Sequence, residues 1–112
     1  MEFAYQSEKL SVARSCLMLP HTMGEAQSIA EAFHNCHLAF HRFDESSLDD
    51  RARSLVLKIK GFMDTGGIDD STGVGTWVLK AKSLNNDEKL ELSNAVDELA
   101  SWFNRKFWGL DE

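Results

Sequence analysis

Residues 86–110, NDEKLELSNAVDELASWFNRKFWGL, carry the apolar pattern that decides the fold class. Their large apolar side chains recur at helical spacing and fall on one face of a helix: Leu92, Val96, Leu99, Phe103, Phe107 and Leu110. Asn85 or Asn86 can cap the N-terminus of this helix. Asp87 and Glu88 complement the helix dipole in its first turn. The stretch therefore predicts a long amphipathic helix.

Residues 48–63 show an equally regular apolar stripe. Its members are Leu48, Ala52, Leu55, Val56, Ile59, Phe62 and Met63. Ser47 followed by Asp50 resembles a capping box in which Asp replaces the usual Glu or Gln. We therefore expect a helix that begins near Ser47 and turns its apolar face toward the core.

Another helix is predicted after Pro20, which interrupts a helix because it lacks a backbone N–H. Its core face comprises Ala26, Ile29, Phe33, Cys36, Phe40 and Phe43. Thr22 with Glu25 fits a capping box at its start. The spacing of the apolar residues therefore predicts a helix between Pro20 and Asp44.

The stretch before Pro20, from about residue 3 to residue 19, predicts a further helix. Its apolar stripe comprises Leu10, Ala13 and Leu17 and is widened by Val12, Cys16 and Leu19. A helix that is apolar around most of its circumference is usually enclosed by other helices. We therefore expect this helix to be enclosed near its end.

Residues 64–76 are rich in glycine and predict a loop. Residues 77–82 alternate weakly like a strand, but no second strand pattern exists to pair with them. We expect them to form a short helix or an extended crossover packed by Trp77 and Leu79. The chain is therefore predicted to be all-α, as a single small four-helix bundle-like domain over residues 1–112 with a glycine-rich loop before the last helix.

Composition narrows the class of protein. The chain has 112 residues, of which 43% are hydrophobic, a fraction near the average for globular domains. Its formal charge of −6 at pH 7 disfavours direct binding to nucleic acid. No apolar run is long enough to span a membrane, and the first residues lack the pattern of a signal peptide. We therefore expect a cytoplasmic protein whose two thiols, Cys16 and Cys36, stay reduced.

The acidic excess falls on residues 44–70 and 86–112, on the outer faces of the two helices predicted there. One interpretation is a solvated face that keeps the protein soluble. The other is a docking surface for a basic partner protein. A mimic of the nucleic-acid backbone is a third interpretation, but the acids do not repeat regularly enough to favour it.

Three histidines, His34, His37 and His41, share the helix predicted after Pro20. His37 and His41 are four residues apart, so both imidazoles project from one side of the helix and can share a metal ion. His34 lies one turn before His37 and can add a third nitrogen. This histidine stripe is a candidate site for a divalent transition metal. Apart from such a metal, no cofactor is expected.

The histidine stripe lacks the companion residues of known catalytic metal sites. The stretch from His37 to His41 has no Glu after its first His, and that Glu is the base in helix-borne zinc hydrolases. Glu31 and His34 form one Glu-x-x-His pair, whereas carboxylate-bridged di-iron bundles use two. The alternative interpretation is structural, with His37 packed at the edge of the core and the other two imidazoles exposed.

Two tryptophans of the last predicted helix lie off its apolar face. Trp108 and Leu90 fall nearly opposite the apolar face, and Trp102 lies beside it. Tryptophan is enriched at interface centres because it buries a large area with little loss of entropy. These three side chains are therefore candidate partner-binding residues, although Trp102 can also widen the core contact and Trp108 can fold back onto the domain. Pairing commonly enlarges a small helical core, so we expect a homodimer.

Together these patterns predict a small acidic protein-binding module without catalytic activity, such as an adaptor, an antitoxin-like or an immunity-like protein. The prediction rests on the spare aromatic side chains, the acidic surface and the lack of a complete catalytic motif in the sequence. The alternative is a metal-binding helical bundle, in its furthest form a metal-dependent enzyme, that uses the histidine stripe. A third class is an inhibitor that mimics DNA and competes with it for a basic partner.

Overall fold

The protein is described by a computed structural model over residues 3–18, 24–41, 46, 48–66 and 75–108. Its helices are α1 (Ala4–Cys16), α2 (Glu25–Phe40), α3 (Asp50–Met63), α4 (Thr76–Ser83) and α5 (Asn86–Trp108). Within the described ranges no residue is in a strand, so the predicted all-α class is confirmed. The four longer helices are those predicted, and the stretch from residue 77 to residue 82 is helical rather than extended. None of the helices in these ranges is long and apolar enough to cross a bilayer.

The apolar face of α5 forms the centre of the core. Of its predicted members, Leu92, Val96, Leu99 and Phe103 are buried, Phe107 is half-buried and Leu110 lies outside the described residues. Helices α1 and α3 pack against α5, α2 packs along α1, and α4 packs against α2. The N-terminus of α5 is capped by Asn85, whose side-chain oxygen accepts the backbone N–H of Glu88 at 2.8 Å. The carboxylate of Glu88 accepts the backbone N–H of Asn85 in return, which completes a capping box.

Helix α1 runs antiparallel to α5. Near the start of α1, the ring of Phe3 lies 5.2 Å from the ring of Phe103 near the end of α5. Toward the end of α1, the guanidinium of Arg14 lies 3.6 Å from the carboxylate of Asp97, which is earlier in α5. Val12 between them is 40% exposed. The expectation that α1 is enclosed is therefore wrong at this residue, because α1 packs mainly against α2 and α5 and leaves its outer side open.

Asp49 joins the start of α3 to α5. Its carboxylate accepts the backbone N–H of Ala52 at 2.8 Å and so caps α3. The same carboxylate accepts the indole N–H of Trp102 at 3.0 Å, and this indole is buried. The helix therefore begins two residues later than the capping box predicted at Ser47, which itself lies outside the described residues. A carboxylate at Asp49 is favoured because it satisfies the helix end and a buried donor at the same time.

Helix α2 is capped differently from the prediction. Its N-cap is Gly24, with φ of +94° and no side-chain hydrogen bond, and the predicted Thr22 lies outside the described residues. Of its predicted core face, Ile29, Phe33 and Cys36 are buried, Ala26 and Phe40 are partly buried, and Phe43 lies outside the described residues. A positive φ favours glycine, because a β-carbon is strained there.

Helix α4 is held on α2 by Trp77. The Trp77 ring lies 6.4 Å from the ring of Phe33 in the core face of α2. Its indole N–H donates to the main-chain oxygen of Met63 at 3.2 Å. Trp77 therefore connects α4, the face of α2 and the end of α3, which agrees with the packing role predicted for it.

We predict that Asp49→Ala destabilises the protein by about 2–4 kcal/mol. The loss of a helix cap costs about 1 kcal/mol, and leaving the buried Trp102 donor without a partner costs about 1–3 kcal/mol more. Asp49→Asn keeps the cap and loses the second acceptor, so its effect should be about half as large. Asp50→Asn is the matched control, because Asp50 is exposed and does not cap a helix. This variant should change the free energy of unfolding by under about 0.5 kcal/mol. Urea unfolding measures all three, and equal effects at both positions would contradict the role of Asp49.

The contribution of Asp49 to the free energy of unfolding should depend on pH. Hydrogen bonds from the backbone of Ala52 and then from Trp102 lower the pKa of this carboxyl below its usual 3.8. A lowered pKa adds stability that is present above the usual value and is lost as the pH falls through the folded value. The stability difference between the wild type and Asp49→Ala should therefore be constant from pH 7 to about pH 5 and shrink below pH 4. A difference that grows on acidification would contradict this assignment.

The two cysteines occupy different environments. Cys36 is fully buried in α2, and burial raises the pKa of its thiol to about 12. Cys16 near the end of α1 is partly exposed, and burial followed by the charge of Glu31 raises its thiol pKa. Because the thiolate is the reactive form, neither thiol is activated in the folded protein.

We expect one of the two thiols to react with a disulfide reagent in the folded protein at pH 8. Cys16 should react slowly, because its raised pKa leaves little thiolate, and Cys36 should react only after unfolding. Spectrophotometric counting of released thiolate, with and without denaturant, measures this difference. Cys16→Ser should leave no thiol that reacts before unfolding, and rapid reaction of both thiols in the wild type would contradict the burial of Cys36.

Candidate functional site

The outward side of α5 is a candidate contact surface. Helices α1 and α3 cover its flanks, and the core covers its apolar face. The remaining side is the outer stripe of α5, which consists of Leu90, Asn94, Asp97, Ser101, Arg105 and Trp108. All of these side chains are exposed except Ser101, which is half-buried. Arg14 of α1 lies 3.6 Å from Asp97 in this stripe, whereas Leu90, Arg105 and Trp108 are exposed and can contact another molecule.

The outer stripe has an apolar residue at each end. Leu90 is 61% exposed and Trp108 is 64% exposed, although both are large apolar side chains. They are five helical turns apart, so they point to the same side at a separation of about 27 Å. The structure therefore brings these two predicted partner-binding residues to one face of α5 but not into one cluster.

Trp102, the third predicted partner-binding residue, lies in the core. Only 6% of it is exposed, and its ring packs edge-on against Phe103 at 5.1 Å. Its indole N–H is used by Asp49, as described above. Of the two interpretations given to Trp102, this placement matches the widened core contact. Trp102 is therefore left out of the contact surface proposed below.

The acids of α5 form ion pairs along the two edges of the outer stripe. The pairs are Asp97 with Arg14 at 3.6 Å, Glu98 with Arg51 at 2.5 Å and Glu91 with Lys58 at 3.8 Å. Two hydrogen bonds join Arg51 to Glu98, and the hydrogen bond from Arg51 is the main cause that lowers the pKa of Glu98. These acids therefore connect α5 to α1 and α3. Part of the acidic charge of α5 is thus neutralised by ion pairs within the chain.

A cleft lies beside the outer stripe, where the end of α1 meets α5. Its volume is about 400 Å³, and it is lined by Leu17 and Met18, which directly follow α1, and by Ser93 and Asn94 of α5, among other side chains. Met18 is 61% exposed at its rim. The sequence does not predict this cleft, because the cleft depends on where α1 ends against α5 and no local pattern indicates that.

The predicted histidine stripe lies on the outer face of α2, and all three imidazoles are exposed. The rings of His37 and His41 are 5.9 Å apart and inclined by 35°. His34 and His37 both face Trp77 of α4, at 6.4 Å and 5.7 Å between ring centroids. The structure therefore pairs two of the imidazoles with each other and holds two of them against one indole.

The three imidazoles do not converge on one point. Among the residues that the structure describes, no group of three or more His, Cys, Asp or Glu side chains is placed to hold a metal ion. Glu31, one turn before His34, accepts a hydrogen bond from the side chain of Gln27 at 3.4 Å. Any metal on this face therefore has to be held by two protein ligands or by a different arrangement of these side chains.

Comparison with known proteins does not assign the chain to a family. No protein-family model matches it, and no curated protein or solved structure matches it. Function is therefore argued from the two surfaces described above, the outer stripe of α5 and the exposed imidazoles of α2.

Proposed function

We propose that this chain is a small protein-binding module without catalytic activity, that it binds through the outer stripe of α5, and that its partner is a second copy of the chain. The observation that carries the proposal is that the outer stripe is complementary to itself. Its two apolar ends match, and so do the acidic start and the basic end of α5, when a second α5 lies against the first in the opposite direction. A two-fold axis requires this kind of self-complementary surface.

The apolar ends match in an antiparallel pair. A two-fold axis at the level of Leu99 places Trp108 of one chain opposite Leu90 of the other. It does so twice, because the axis generates both contacts. In a parallel pair, each residue would face its own copy, and the leucine and the tryptophan would not meet.

The charges of α5 match in the same arrangement. Its first turns carry three acids, Asp87, Glu88 and Glu91, against one base, Lys89, whereas its last turns carry Arg105 and Lys106. An antiparallel pair places the acidic half of each helix against the basic end of the other. It also opposes the two helix dipoles. A parallel pair would place like charges together, which is unfavourable.

The cleft between α1 and α5 can receive Trp108 of the second copy. Side chains on a helix lean toward its N-terminus, so Trp108 leans from Leu90 toward Asn94 of the other chain when the helices are antiparallel. Asn94 lines the cleft, and Met18 adds apolar surface at its rim. Aromatic anchors that fill a cleft on the partner usually dominate the binding free energy.

The dimer is expected to be reversible. A helix contact about 27 Å long and about 10 Å wide covers on the order of 300 Å² per chain. A standard interface buries about 800 Å² per chain, so the contact remains small even with the cleft included. We therefore expect a dissociation constant in the micromolar range.

We predict that Trp108→Ala and Leu90→Ala both weaken the dimer. Each side chain is used twice, so a loss of only about 1 kcal/mol at each copy raises the dissociation constant roughly 30-fold. Sedimentation velocity over a range of concentrations measures this constant, and circular dichroism checks that helicity is unchanged. Leu57→Ala is the matched control, because Leu57 is 60% exposed but lies on α3. A monomeric wild type at hundreds of micromolar, or a Trp108→Ala variant that dimerises like the wild type, would overturn the proposal.

We predict that Arg105→Glu also weakens the dimer, because it turns an attraction to the acidic half of the second α5 into a repulsion. The expected rise in the dissociation constant is about 5- to 10-fold at low salt and less at high salt. Lys82→Glu makes the same change in net charge at an exposed residue of α4, outside the outer stripe. If both variants shifted the constant equally, net charge and not the pairing of α5 would explain the effect.

A further inference from the structure

We propose that His37 and His41 form a two-nitrogen binding site for a divalent transition metal such as Cu²⁺ or Zn²⁺. The site is on α2 and is independent of the contact surface on α5. Imidazole nitrogens are good ligands for these metals, and two histidines at positions i and i+4 of a helix can bind one ion. His37 is in the last turn of α2, and His41 is its C-cap, whose backbone N–H donates to the main-chain oxygen of His37 at 3.0 Å, so this bond keeps the i, i+4 relation at the helix end. Because both side chains are exposed, binding requires no opening of the core.

The distance between the two rings is close to the distance that a shared metal requires. Metal–nitrogen bonds are about 2.0–2.1 Å, so two imidazoles on a tetrahedral ion have ring centroids about 5 Å apart. The rings of His37 and His41 are 5.9 Å apart, so they must approach each other by only about 1 Å. Rotation of two exposed side chains supplies this movement at little energetic expense.

Trp77 limits the positions that the His37 ring can take. The indole lies 5.7 Å from the His37 ring, and its own N–H is held by the main-chain oxygen of Met63. The indole is therefore fixed in place and occupies one side of the imidazole. The His37 ring therefore has two aromatic neighbours, the fixed indole and the ring of His41 at 5.9 Å.

Water completes the coordination in this proposal. No third protein ligand converges on the pair among the described residues. The stretch from His37 to His41 is His-Leu-Ala-Phe-His, so the Glu that serves as base in helix-borne zinc hydrolases is missing. The site therefore binds a metal without the group that would activate the bound water for hydrolysis.

Isothermal titration of tag-free protein with Cu²⁺ and with Zn²⁺ tests the site. We expect one ion per chain, with binding that weakens as the pH falls, because protons compete for the imidazole nitrogens. His37→Ala and His41→Ala should each weaken binding at least about 10-fold, because one of two protein ligands is lost. His34→Ala is the matched control and should leave the affinity unchanged. Unchanged circular dichroism for each variant shows that the helix is intact.

Three results would overturn the metal site: no uptake of either ion, uptake that survives the double substitution of His37 and His41, or an equal loss of affinity with His34→Ala. Each of these is separate from the α5 proposal. Sedimentation of the metal-free protein tests the dimer alone. Metal titration of the Trp108→Ala variant tests the metal site in a protein whose dimer is weakened.

Discussion

Burial of the apolar face of α5 is the constraint on which the rest of the structure depends. This face is covered by α1 and α3, which lie on its two flanks and run antiparallel to it. Burial of Trp102 in that contact requires an acceptor for the indole N–H, and Asp49 supplies it while capping α3. Among the described residues, the core, α1 and α3 cover the other sides of α5 and leave the outer stripe largely exposed. The candidate contact surface is therefore a consequence of how the core is built.

Helices α2 and α4 are likewise held by packing around an aromatic contact. Helix α2 packs along α1, and Trp77 of α4 closes over the face of α2 and bonds to the end of α3. The imidazoles of His34 and His37 lie against this indole at the surface. Trp77, which contacts α2 and the end of α3 from α4, therefore also lies next to two imidazoles of the histidine stripe. The structural and the metal-binding interpretations of the histidines are compatible for this reason, since packing of His37 against Trp77 leaves its ring beside His41.

The sequence predicts what depends on neighbours along one helix and misses what depends on neighbours in space. The spacing of Leu92, Val96 and Leu99 is enough to predict α5 and its buried face. A cap at Asn85 or Asn86 is predicted because the signal is local, and the capping box with Glu88 shows that Asn85 is the cap. Ser47 is predicted as the cap of α3 instead of Asp49 because both residue types favour an N-cap, and the buried Trp102 donor that favours Asp49 is far along the chain. The cleft beside Asn94 is missed for the same reason, and so is the pairing of the acids of α5 with the bases of α1 and α3.

The central claim is that α5 pairs with a second α5 in the antiparallel direction. A spin label on Asn86→Cys in a Cys16→Ser background tests it most directly, because Cys36 is buried and stays unlabelled. Pulsed electron paramagnetic resonance then measures the distance between labels on two chains. We expect a distance of about 40 Å, because the two copies of residue 86 lie at opposite ends of the antiparallel helices. A distance near 10 Å, as in a parallel pair, or no distance between chains at concentrations of hundreds of micromolar would contradict it.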